Sequence, residues 1–163
     1  PQSLVSQAAQ VYDALKGQIN HGMQLSVICA EDAARLGNRD EDKDLILGNS
    51  IVGVTLNQCG VWPKGPVSEN FNQPLRTDTP VLLLSGEFDP VTPARYGDQV
   101  MASLGNARHL VGKGQGHILL SRGCTPRLVA EFVDKLDPKG LDATCLDPLA
   151  ATPFFIDYNG AGP

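Results

Sequence analysis

Leu4, Ala8, Tyr12, Leu15 and Ile19 recur at helical spacing, which predicts an amphipathic helix over residues 3–17 with Gly17 weakening its end. Gln24 to Cys29 reads as a strand, and Ala30 to Asp44 as a polar, charge-rich loop. Residues 43–58 look helical, with Leu45, Val52 and Leu56 on one face and Gly48 and Gly53 allowing close packing. Residues 61–78 hold Pro63, Pro66 and Pro74 and form an irregular connection. Val81 to Leu84 is apolar without alternation, as in a strand covered on both faces, and Pro80 and Gly86 punctuate it. Thr92 as N-cap and Pro93 at the first position start a further helix. Tyr96, Val100 and Leu104 lie on its buried face, and Gly105 ends it. Arg108 to Gly112 forms a short strand. Thr125 and Pro126 start a last helix with Leu128, Val129, Phe132, Val133 and Leu136 on its buried stripe, and Pro138 follows. From Leu141 onward the chain reads as an irregular tail draped over the surface.

Strand, helix, strand, helix, strand, helix implies an α/β fold with parallel crossovers. Three strands make a poor sheet, so one edge is expected to be covered by a further half of the protein. The chemistry gathers at two points. Asp89 falls just past the carboxyl end of the Val81 strand, where open α/β sheets place their ligands. His117 follows the Lys113-Gly-Gln-Gly116 loop, which has no bulky side chain to keep the imidazole from projecting into a cleft. An acid and then a histidine, each after a strand, follow the order of the α/β-hydrolase Ser-Asp-His triad. Asp89 organising a turn is the plainer reading of the first residue alone. No Gly-x-Ser-x-Gly occurs, and Gly48-Asn-Ser50-Ile-Val-Gly53 has the wrong spacing. His21, in an Asn-His-Gly turn, and His109, within a strand, read as structural.

With these pieces in place, Thr79 to Cys145 resembles the C-terminal region of tripeptidyl aminopeptidase-like proteins, α/β-hydrolases related to prolyl aminopeptidases. The matching motifs are Gly86-x-x-Asp89-Pro-Val-Thr92-Pro93, Gly114-x-Gly116-His117, and the downstream Cys124 and Cys145. Ser26-Val-Ile-Cys29-Ala-Glu31-Asp32 and Cys59-Gly-Val-Trp62-Pro63 look like that family as well. The resemblance implies Asp89 as triad acid and His117 as triad base. It implies the C-terminal part of an α/β-hydrolase, incomplete without an N-terminal half that carries the nucleophile serine. Residues 1–22 would end a cap region, 23–140 would belong to the hydrolase core, and 141–163 would form the tail. A peptide substrate follows, with Glu31 as a candidate for holding its α-amine, or else a solvated pair with Asp32. An esterase or lipase on the same scaffold, and a non-catalytic binding module, are the alternatives.

Composition narrows the setting. A net charge of −5, with 13 scattered basic residues, disfavours nucleic acid and anionic membrane surfaces as partners. No apolar run approaches the ~20 residues that span a bilayer. The chain opens at Pro1 without a methionine or signal peptide, which reads as a processed or cut product. Four cysteines allow three pairings, and their spacings fit no metal site; no cofactor is implied. Cys29–Cys59 and Cys124–Cys145 each join neighbouring elements, and the resemblance implies the same pairs. Four buried thiols in a cytosolic protein is the alternative. Cys145 sits in a Pro- and Asp-rich tail with little core around it, which favours disulfides and a secreted or periplasmic protein.

Overall fold

The computed structural model describes residues 2–16, 18–151, 153, 155–157 and 160–161. They fall into two units, Pro1–Asn72 and Gln73–Pro163. In the first unit, α1 (Gln2–Leu15) follows the expected apolar period but leaves Leu4, Val5, Val11 and Tyr12 exposed. Gly17 and the Leu15 side chain lie outside the described residues.

The strand expected at residues 24–29 is instead helical. Asn20 caps α2 (His21–Val27), its side chain accepting the Met23 amide at 3.0 Å, and the Ser26 hydroxyl donates back to the Gly22 carbonyl at 2.9 Å. The coil widens into a π-helical turn, Ile28–Asp32. A short apolar run suits strand or helix equally, and the upstream cap decides it. Glu31 therefore sits in this turn and not after a strand. The helix expected from residue 43 starts later, as α3 (Ser50–Val61). Asn49 holds the preceding segment out of the helix by bonding both the amide and the carbonyl of Arg39, at 2.9 and 3.0 Å. Cys29–Cys59 joins the π-helical turn to α3 with both residues buried, and the Trp62 indole donates to Ser26 Oγ at 3.1 Å.

In the second unit β1 (Val81–Gly86) and β2 (Ala107–Gly112) pair in parallel, from Val81↔Ala107 to Gly86↔Gly112. They are the whole parallel sheet among the described residues, so the third strand of the expected order is absent there. Helix α4 (Ala94–Met101) connects them; it stops before Leu104, which instead pairs with Thr77 in an isolated bridge. Thr92 is not its side-chain cap. Strand alternation sends Leu82, Leu84 and Leu110 to one face, where they pack with Leu128 of α5 (Thr125–Lys135) and with Leu146. His109 and Ser85 lie on the other face, towards α4. The stripe of α5 is narrower than its sequence suggests: Val133 and Leu136 are exposed, and Leu136 already leaves the helix at φ 52°.

The expected surface tail is another correction. Leu141 and Leu146 are buried, and the Arg108 guanidinium bonds the Leu141 carbonyl. Cys124–Cys145 fastens this segment to the start of α5. A small antiparallel pair, β3 (Phe155–Asp157) and β4 (Gly160–Ala161), follows. None of the described helices is long and apolar enough to cross a membrane.

Candidate active site

Beyond β1 the chain turns at once, and the turn is tied to the loop after β2. The Glu87 amide donates to the Gly112 carbonyl at 3.0 Å, and the Phe88 amide to the Gln115 carbonyl at 2.9 Å. The Glu87 carboxylate accepts the Gly114 amide at 2.7 Å. Gly86 occupies the point of closest approach, where a Cβ would collide with the Gln115 and Gly116 carbonyl oxygens. The acid turn and the histidine loop are thus one backbone-bonded assembly.

Within it, His117 Nδ1 lies 3.0 Å from Asp89 Oδ2 and 3.1 Å from Oδ1. The Asp89 side chain is 4% exposed and that of His117 45%, so a buried acid backs an accessible imidazole. Asp89 Oδ1 accepts the Val91 and Thr92 amides, each at 2.9 Å, and Oδ2 accepts the Thr92 hydroxyl at 2.9 Å. Burial pushes the carboxyl up, but the Thr92 amide, His117, the Val91 amide and the Thr92 hydroxyl together outweigh it. The carboxyl is held well below the usual carboxylate range. Ile118, next to the imidazole, adopts φ 67°, a left-handed conformation that is costly for a β-branched residue. Such strain directly beside a side chain with a partner is a mark of functional sites.

The low carboxyl has a consequence for stability. An unfolded aspartate titrates near ~3.9. With the folded value lower still, the Asp89 contribution is complete above about pH 4 and is lost as acid protonates the folded carboxylate. Asp89→Asn lacks that contribution at every pH. In denaturant titrations its deficit against the parent should be widest at neutral pH and narrow below about pH 4. A deficit constant across pH would contradict the depressed carboxyl.

A second relay was not foreseen from sequence. His109 Nε2 lies 2.9 Å from Ser85 Oγ, and His109 Nδ1 lies 3.0 Å from Asp98 Oδ1. Its imidazole is 6% exposed and pressed against Gly97, where any side chain would run into the ring. Ser85 sits inside the β1 ladder and Asp98 is 72% exposed, so the relay staples α4 to both strands. His109 is thus the structural histidine expected of it.

A family model described as TAP-like protein matches residues 45–145. The chain belongs to the TAP-like family. The match in this TAP-like chain spans the acid turn, the histidine loop, α3 and three of the cysteines, Cys59, Cys124 and Cys145. It agrees with an α/β-hydrolase region of the tripeptidyl aminopeptidase kind. Comparison with curated proteins and with solved structures found no match.

Glu31 belongs to the first unit of the TAP-like chain, and the Asp89–His117 pair to the second. Sequence reading missed Thr92 as a partner of Asp89, Glu87 as a clamp on the histidine loop, and the strain at Ile118. The Asp89–Thr92 spacing was the available signal for the first, since an aspartate readily accepts amides two and three residues on. No composition or spacing signals the other two.

Proposed function

We propose that this chain is the C-terminal part of an exported serine hydrolase, an exopeptidase that releases short peptides from amino termini. Asp89 is its acid and His117 its base; the nucleophile serine and the oxyanion donors lie on a segment ahead of Pro1. The observation that carries the reading is the His117–Asp89 pair: both oxygens of the buried carboxylate lie on Nδ1, while Nε2 bonds no group among the described residues. In that arrangement Asp89 fixes the Nδ1–H tautomer and leaves Nε2 to take the serine proton. The serine attacks the acyl carbon, the imidazolium protonates the leaving amine, and water activated by the same nitrogen hydrolyses the acyl-enzyme. Both disulfides suit an oxidising compartment.

Fluorophosphonate labelling tests this. The 163-residue chain, none of whose eight serines, Ser50, Ser85 and Ser121 among them, lies in a Gly-x-Ser-x-Gly elbow, is expected to stay unlabelled, while the full-length protein is labelled upstream. Labelling at Ser85 would assign the nucleophile to the Ser85–His109–Asp98 relay and overturn the reading. Comparing peptidyl anilides with p-nitrophenyl esters then separates peptidase from esterase.

A further inference from the structure

The histidine loop is held from two sides, and only one of them is the acid turn. We propose that Gln115 and the segment Leu149–Ala151 form a strap that positions His117. Lys113 to Gly116 contains two glycines, and a stretch so poor in side chains cannot fix its own geometry. Gln115 Nε2 donates to the Ala150 carbonyl at 2.9 Å and to the Lys113 carbonyl at 3.2 Å. Gly114, at φ 64°, lies so close to the Ala150–Ala151 peptide that any side chain there would strike it.

The strap is itself anchored. Leu146 is buried in the core beside Leu110 and Leu128, and Leu149 packs against the same cluster. The Leu149 amide donates to the Leu146 carbonyl at 3.0 Å. The Leu149 side chain also rests on Gly123, next to Cys124, and the Cys124–Cys145 bridge ties the strap's root to the start of α5. One continuous path of contacts therefore runs from the hydrophobic core through the tail to the residue two before His117. Gln115 meets no reacting atom; it acts through the loop.

The structural half of this proposal stands on the chain alone, and its effect on turnover rests on His117 being the base. The test is amide hydrogen exchange at Phe88 and Gly114, whose bonds join the loop to the turn, and at Gln115, whose amide bonds the Gly112 carbonyl at the start of the loop. It compares the parent with Gln115→Met, which removes the donor at similar length, and with Cys124→Ala/Cys145→Ala, which frees the root. Gln115→Met should speed exchange roughly three- to tenfold, the net worth of the bond to Ala150 (the Lys113 bond lies within the loop), with the global unfolding midpoint unchanged. Exchange within about twofold of the parent in Gln115→Met overturns the strap even if the cysteine pair fails to fold. In the full-length enzyme, Gln115→Met should lower kcat severalfold with KM unchanged. If His117→Ala is inactive while Gln115→Met keeps the parental kcat, the positioning role fails. If His117→Ala keeps full turnover, the assignment of the base fails instead.

Discussion

Asp89→Asn in the full-length enzyme is expected to lower turnover roughly 10⁴-fold, the loss seen when a triad acid can no longer fix the histidine tautomer. Asparagine offers one acceptor where the carboxylate offers two, so the Val91 and Thr92 donors compete with His117 for it. The amide's own N–H₂ group faces donors, and it can turn the imidazole so that Nδ1 becomes an acceptor, placing the proton on the nitrogen that must receive one. His117→Ala should be as severe. Steady-state rates, read beside urea midpoints, check this; turnover within tenfold of the parent in a folded variant would remove Asp89 from the mechanism.

Gly86→Ala should have the next largest effect, through position. The added methyl would strike the Gln115 and Gly116 carbonyl oxygens, which are backbone and cannot rotate away as a side chain would. The histidine loop must move as a whole. Overpacking of this kind costs about 1–3 kcal/mol. A shift near 1 Å at a catalytic group can cost about 10²-fold in rate. Kinetics with a denaturation curve would show both, and a variant with unchanged kcat would mean the loop yields without moving His117.

The two positions paired in the candidate site were legible because each follows a clear local signal. The Val81–Leu84 run has no polar interruption, so its end fixed where Asp89 would emerge, and the two glycines before His117 marked a loop free to approach a neighbour. The cysteine pairs are those that the order of neighbouring elements and the family resemblance together implied. Other segments were decided by competition that local patterns do not record. Thr92 has the residue type of an N-cap, yet the helix starts one residue later, at Ala94 after Pro93, and the Thr92 hydroxyl donates to Asp89 Oδ2. Residues 24–29 took their conformation from Asn20 rather than from their own apolarity. Leu141 and Leu146 stand too sparsely among Asp and Pro to show a period, and only the folded second unit reveals that they complete its core.

The cysteine arrangement also bears on how the chain matures. Each bridge joins cysteines that are consecutive in sequence, 29 with 59 and 124 with 145, and each closes within one unit. Within residues 1–163, synthesis from the amino end presents Cys29 and Cys59 before Cys124 appears, so these two can pair before the other two are made. The second pair then meets with the first already closed. For these four cysteines, pairing in the order of synthesis favours the native connectivity, whereas oxidation of the denatured residues 1–163 must sort three pairings and is slowed by exchange.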